Sequence, residues 1–460
     1  MCFWIQKLNY LIKSKWLLVS SAVVYIIIYF IYYPQISTII DELCYLNLAY
    51  ALRVGTLYLD QADLGIIHYG VKIGSHLVNL WPIGNSILLL PFTFGGGKTL
   101  FLYGLIFHIL GYILFIKVLK ECKIDTKFAL LYLFYPPQIF ITRTLLSDIP
   151  AAFFTLLGFY FYQKQKFTSS GIAFGISFLI RYGSIFFFSI FPIFALIQGK
   201  RKFLKMIIGL LPFLGFMVIY NYIVYKKLLP PGYINEEIFA VHRRISSFGV
   251  YILLLSIFYP LMIFSPIFYK NSYKYEIQLS CITTIIGYSL ISYALSPYSV
   301  FSLSNFPRVV FMTTRFFFPI TPLLFITYIS LCKKYLNKKI WIGILIILIG
   351  GCIGIHHIHN EYLKFHKKCS DIVYSYTTKN SLIICKRRAW KLISRVWGKR
   401  KAIILKDKEK LSPTLLEDDI WLVSFDRAKM PEIDKKKWKL VKRIVGFGDT
   451  KFELYKIKKD

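Results

Sequence analysis

The chain has 460 residues, 56% of them hydrophobic and 18% aromatic, with 17% charged and a mean hydropathy of +0.55. A water-soluble domain is about 45–50% apolar and about 25% charged, so disorder, a collagen-like repeat and a disulfide scaffold are excluded and a polytopic membrane protein remains. The 57 Lys and Arg against 23 Asp and Glu give +34, but these cations mostly flank apolar stretches, where they set topology and do not mark a nucleic-acid partner.

The first apolar run, about 16–33, is long enough to cross a bilayer and has no small-residue cleavage site after it. Further runs lie near 99–118, 128–142, 149–163, 203–222, 249–268, 277–295, 316–332 and 340–356. The stretch 169–198 is apolar but interrupted by Arg181-Tyr182-Gly183, and both ends are basic. A broken hairpin with Arg181 at its outer tip keeps both basic ends inside, which brings the expected total to about eleven spans. Lys7, Lys13 and Lys15, then Lys117, Lys120, Lys123 and Lys127, then Lys333, Lys334, Lys338 and Lys339 fall on one side under this count. The amino terminus is thereby predicted to be cytoplasmic and the carboxyl terminus extracytoplasmic. Two predicted domains follow: a membrane module over 1–356, carrying a long outer loop over 34–98, and a small extracytoplasmic α/β domain over 357–460. In the latter, strands are predicted at Leu382–Cys385, Ala402–Leu405, Ile420–Phe425 and Phe452–Ile457, with a helix near 387–397. The eight cysteines show no CxxC pair; Cys369 and Cys385 share a polar region, and whether they are bonded is open.

Residues 1–360 hold only ten acids. Glu121, Asp125 and Glu276 sit in basic inner loops as solvated charge. Asp41-Glu42 opens an amphipathic helix expected to lie along the outer interface, and Asp148 opens another after Arg143-Thr-Leu-Leu-Ser147. Helix starts account for each pair singly: Asp41, Ser147 or Asp148 can cap, Glu42 opposes the dipole, and Pro150 suits a first turn. They leave unexplained why two acid-bearing turns share a membrane face with an arginine at a helix break.

Asp41-Glu42-x-x-Tyr45-x-x-x-Ala49 resembles the acidic signature of lipid-dependent C-type glycosyltransferases, the GT-C fold of the protein O-mannosyltransferases and aminoarabinose transferases. Arg143-x-x-x-Ser147-Asp148-x-Pro150 is similar to their second acidic signature, and Trp81-Pro82-x-Gly84 to their Tyr-Pro-Pro-Gly segment, with Trp81 and Ile83 departing from it. Arg181-Tyr182, Tyr220-Asn221, Gly232-Tyr233 and Arg315-Phe-Phe-Phe-Pro319 follow in the family's order. The resemblance covers about residues 15–332. It implies an all-α polytopic enzyme that moves a sugar from a polyprenyl-phosphate carrier (dolichyl phosphate among them) to a protein, lipid or glycan acceptor on the outer face. Membrane lipids and that donor are the expected partners.

An inverting displacement needs a base for the acceptor's proton, and Asp41 is the first choice. Glu42 and Asp148 would orient the acceptor or position a cation. The leaving lipid phosphate gains charge, so Arg143, Arg181 and Arg315 are its expected counter-charges. Tyr45, Tyr182 and Trp81 are placed to stack on the sugar. A divalent cation is compatible with the chemistry but not required; near Trp81 the only metal-ligand candidates, both weak, are His68 and His76. A transporter or flippase, which would show repeats and mid-span polar groups, and a polymerase or ligase of lipid-linked glycans are the alternative classes.

Overall fold

The computed structural model describes residues 15–61, 70–96, 99–234, 249, 251–257, 259, 262–270, 272–290, 306–332, 338–378, 381–386, 401–405, 419–425, 438–445 and 451–457. The chain is mostly helical, with a small carboxyl-terminal sheet. It divides into two compact units, one of residues 1–33, 81–88 and 101–356, the other of residues 34–80, 89–100 and 357–460.

In the first unit the helix Leu102–Glu121 packs on Asp148–Gln163, which packs on Phe167–Ile180, which in turn packs on Lys200–Tyr225. The last crossing is close because it is made through Gly171 and Gly209. A Cβ on either would collide with a carbonyl oxygen of the facing helix, Met206 or Thr168. Outward faces are apolar: Ile347 is 73% exposed, Ile197 72% and Ile208 62%. The interior is where the hydroxyls sit. The Tyr29 hydroxyl donates to the Phe101 carbonyl at 2.6 Å, and Tyr103 donates to Asn85 Oδ1 at 2.5 Å. The Asn85 amide in turn donates to the Leu145 carbonyl at 3.1 Å. Apolar outside and hydrogen-bonded inside is the arrangement a lipid solvent selects, and the chain is membrane-embedded.

The expected eleven full crossings are not present among the described residues. Three helices are long and apolar enough to span: Leu102–Glu121, Lys200–Tyr225 and Ile340–Tyr376. Two bent pairs, Tyr251–Ile257 with Met262–Phe268 and Val310–Phe317 with Thr321–Cys332, turn through 111° and 89°. Lys15–Ile31, Ile83–Thr93, Phe167–Ile180 and Tyr182–Gln198 are apolar but shorter, below the ~20 residues that a bilayer asks of a helix. Proline is one cause. Pro136-Pro137 divides the run 128–142 into Ala129–Leu133 and Pro136–Thr142, both buried, because each ring removes a donor and clashes with the preceding turn. The break at Arg181 stands where the sequence placed it. Phe174 stacks on Phe188 at 5.4 Å and 14° and meets Phe191 at 5.1 Å, so the two arms fold back about Arg181.

Glu276 departs from its expected solvated state. It is buried and accepts from the Tyr162 hydroxyl at 3.3 Å, which itself accepts from the Gln198 amide at 2.7 Å. Glu121 and Asp125 are partly exposed and pair with Lys164 at 2.6 Å and Lys127 at 3.0 Å.

The second unit joins the segment after the first apolar helix to the tail. Helix Ile40–Arg53 is buried on most sides, including Leu43, Cys44, Tyr45, Asn47 and Leu48, so it does not lie along an interface as an amphipathic surface helix would. Arg53 Nη1 donates to the Thr93 carbonyl at 3.1 Å. Strands β1 (Val71–Ile73) and β2 (His76–Val78) form a short antiparallel hairpin. Strands β3 (Leu382–Lys386), β4 (Lys401–Leu405), β5 (Ile420–Phe425), β6 (Trp438–Val445) and β7 (Lys451–Ile457) form a sheet of order β4-β3-β5-β7-β6. It is parallel across β4-β3-β5 and antiparallel across β5-β7-β6. Ile383, Trp421, Val423, Phe452 and Leu454 pack against Cys369 and Val373 of the long helix Lys338–Tyr376. Strand β6 is the one the sequence conceals. It is an edge strand whose lysines and arginine face water, and edge charge of that kind blunts further pairing. The helix expected near 387–397 lies outside the described residues. Cys369 is a free, buried thiol, which leaves no disulfide to Cys385.

Asp419 ties this sheet together. Its Oδ2 accepts from Ser381 Oγ at 2.8 Å and Trp421 Nε1 at 2.9 Å, and Lys456 Nζ lies 3.1 Å from Oδ1. Burial pushes its carboxyl up, but Trp421, Ser381 and Lys456 together hold it below the usual carboxylate range. Its contribution is thus complete above that usual range and is lost as pH falls through the depressed value. Asp419→Ala is expected to cost about 1–3 kcal/mol. Hydrogen exchange should report faster opening of β3, β5 and β7 in the variant, and wild-type protein should lose the difference in acid.

Candidate active site

Ser147 precedes the helix Asp148–Gln163 but makes no side-chain cap bond, and Asp148 is the first helical residue. The Asp148 carboxylate is free of capping duty and is turned inward, with its side chain fully buried. Its Oδ1 lies 2.7 Å from Arg181 Nη1, and its Oδ2 lies 3.8 Å from Arg315 Nη1. The helix amino terminus adds favourable partial charge to the same carboxylate.

Both arginines are delivered by breaks in helices. Arg181 has extended backbone (φ −153°, ψ 108°) between Phe167–Ile180 and the 3-10 turn Tyr182–Ser184. Arg315 opens the 3-10 turn Arg315–Phe317, at the 89° bend. Only 11% and 12% of these two side chains is exposed. Arg181 Nε donates to the Tyr288 hydroxyl at 3.2 Å, and its Nη1 is 3.4 Å from Ser147 Oγ. The Phe316 ring lies 5.0 Å from the Arg181 guanidinium and 5.2 Å from that of Arg315, so one aromatic quadrupole serves two cations. Two guanidiniums thus converge on one carboxylate in a largely water-excluded place.

An aromatic group adjoins Arg181. The Tyr182 ring stacks with Phe178 at 4.9 Å and with Tyr233 at 5.5 Å, and its hydroxyl donates to Asn221 Oδ1 at 3.0 Å. Trp81 meets Tyr233 edge-on at 5.8 Å, and its carbonyl accepts from the Tyr225 hydroxyl at 3.1 Å. Beside the same break runs an apolar groove of about 480 Å³, lined by Gly84, Ile87, Phe154, Leu179, Ile180 and Phe216.

The structure therefore gathers Asp148, Arg181, Tyr182, Arg315 and Trp81 in one unit. Arg143 is fully buried there, within electrostatic reach of Tyr25, Tyr29 and Cys352. Asp41, Glu42 and Tyr45 belong to the other unit. Asp41 is the second residue of its helix and Ile39 is the N-cap, so Asp41 does not cap. Glu42 carries that duty. Its Oε2 accepts from Ser37 Oγ at 2.9 Å, Thr38 N at 3.0 Å and Ile39 N at 2.8 Å, the backward reach of a capping box.

Neither acid signature fits a cation well. Asp148 faces two guanidiniums, which would repel a metal. Among the described residues no group of three or more His, Cys, Asp or Glu is arranged to hold one. His68 lies outside the described residues. His76 stacks on Tyr58 at 4.2 Å, and its Nδ1 is 3.3 Å from Asp60 Oδ2, while Leu77 N donates to Asp60 Oδ1 at 2.8 Å. His76 thereby ties the β1–β2 hairpin to the turn Leu59–Gln61. Tyr288 is the site residue that sequence reasoning missed. Its only signal was a hydroxyl near the outer end of the expected span 277–295. Comparison with protein-family models, curated proteins and solved structures finds no match.

Asp148→Asn removes the carboxylate that two buried guanidiniums share and should cost roughly 3–5 kcal/mol. The double variant Asp148→Asn/Arg181→Gln should lose less than the sum of its parts, because the two groups share one interaction. Thermal unfolding of purified protein in detergent measures both.

Proposed function

We propose that the chain is an integral-membrane glycosyltransferase that takes a sugar from a polyprenyl-phosphate carrier and passes it to a protein, lipid or glycan acceptor on the outer membrane face. The observation that carries this reading is the buried pair Arg181 and Arg315, which share one carboxylate at 2.7 and 3.8 Å. The carboxylate holds the two forks side by side. Two planar forks so placed are suited to the oxygens of a phosphate, in a medium of low polarity where such contacts act most strongly. The adjoining groove is apolar, as a donor with a long hydrocarbon tail requires, since burial of such a tail is worth about 0.8 kcal/mol per CH₂.

In this reading the acceptor oxygen attacks the anomeric carbon as the bond to the carrier phosphate breaks. The electron pair leaves with the phosphate, where Arg181 and Arg315 meet it, and the acceptor's proton goes to a carboxylate. Asp41 is assigned that proton on the resemblance of its signature. Glu42, with three donors on one oxygen, is assigned to holding the helix start, and Asp148 to holding the arginines. No metal is assigned.

Sidedness is part of the proposal. Residues 34–80 and 357–460 form one folded body rich in lysine, and such a body occupies one side of a bilayer. Lys7, Lys13 and Lys15 before the first apolar helix put the amino terminus inside by the positive-inside rule, so the side of that body is proposed as the outer one. Cysteines introduced by Val54→Cys and Ser375→Cys, both at exposed positions, should label alike with an impermeant thiol reagent on intact cells. Labelling of one before lysis and the other only after would overturn the assignment.

The activity is tested by sugar release from a radiolabelled polyprenyl-phosphate donor with purified protein. Arg181→Gln should lose far more activity than Arg181→Lys, because Lys keeps the charge and loses only the planar fork. Asp41→Asn should lower turnover by about 10²–10⁴ with normal folding, since Asp41 is not the cap. No release by well-folded wild-type protein from any such donor would refute the reading.

A further inference from the structure

We infer that the second unit carries a site for the phosphodiester headgroup of an anionic membrane phospholipid, in a basic groove of about 520 Å³ between Gln35 and one face of the helix Lys338–Tyr376. The groove is lined by Lys364, Lys367 and Lys368, with Asp371, Ile372 and Ser375. Positions 364, 367 and 368 share one helical face, so three ammonium groups gather where like charges at this spacing repel. Asp371 is the one acid in the lining, and Glu361, 2.8 Å from Lys364, is a second nearby. Cations outnumber acids even when both are counted. The Gln35 side chain accepts from Lys367, which orders that lysine, and the Gln35 amide nitrogen adds a neutral donor, while the Ser375 hydroxyl donates to the Ile372 carbonyl at 2.9 Å.

Position along the chain identifies the anion as a membrane headgroup. Gln35 follows the apolar helix Lys15–Ile31 by four residues. The lysines follow the apolar part of the helix Ile340–Tyr376, whose exposed Ile346, Ile347, Ile353 and Ile358 precede them. Two chain segments thus leave apolar helices and meet at one groove. That is the level of the lipid headgroups, where each lysine contributes about 1 kcal/mol toward an anionic surface. The inference uses none of the residues assigned to sugar transfer.

The test uses the full-length protein in a neutral detergent. Retention of dioleoyl phosphatidylglycerol against dioleoyl phosphatidylcholine is read by native mass spectrometry. Wild-type protein should retain the anionic lipid preferentially. The variant Lys364→Gln/Lys367→Gln/Lys368→Gln should lose that preference by on the order of a hundredfold, the scale expected for three lysines at about fivefold each. The corresponding triple Arg variant should keep it. If the triple Gln variant does not fold, Lys364→Gln and Lys368→Gln alone, at exposed positions, should each weaken retention by about fivefold. Equal retention of both lipids by wild-type protein, or an unchanged preference in the Gln variants, overturns the site. Displacement of the lipid by excess inorganic phosphate would overturn the headgroup assignment in favour of a soluble anion.

Discussion

A fully buried carboxylate inside a lipid-facing bundle is tolerable only when cations are brought to it, and Asp148 has two. Breaking such a pair strands a charge where neither water nor lipid can solvate it. The surrounding backbone is organised accordingly. Two helices stop short at Arg181 and Arg315, each giving up regular hydrogen bonds so that a guanidinium reaches the first turn of the helix Asp148–Gln163. Tyr288 and Phe316 then fix the forks. Irregular backbone at membrane depth is tolerated where it is enclosed by protein, and these breaks meet that condition.

The same solvent explains the inverted distribution of side chains. Isoleucines and leucines cover the outside because lipid is their equal in polarity. Tyrosines fill the inside because their rings pack and their hydroxyls bind stray carbonyls, as Tyr29 does for Phe101 and Tyr225 for Trp81. Small residues at a close crossing, Gly171 and Gly209, let backbones approach where no hydrophobic driving force draws helices together.

Several residues gain duties that their types alone do not announce. Glu42 and Asp41 are neighbours in sequence, yet one oxygen of Glu42 collects three donors while Asp41 stays clear of the cap. Asp60 and His76, sixteen positions apart, meet where the turn Leu59–Gln61 packs against the strand His76–Val78. Tyr182 was expected to offer a face to a sugar. Its ring stacks with two other aromatics, which also suits it to hold the break at Arg181 in shape.

Composition and apolar patterning were enough to establish a helical membrane protein with a basic α/β tail. Four of the five tail strands were legible because they alternate or run apolar between turn residues. The break at Arg181 was legible too, since a charge and a glycine interrupt an otherwise apolar run. Tertiary structure alone decided which acid meets which arginine, that the tail and the segment after the first apolar helix form a single unit, and that a run such as 128–142 is two short buried helices. Strand β6 escaped for a related reason, because an edge strand keeps its charges in water and shows no buried face. Periodicity reports how a segment divides between solvent and core. It carries no information about which distant segment supplies the counter-charge, because that pairing depends on where helices are broken and how they cross.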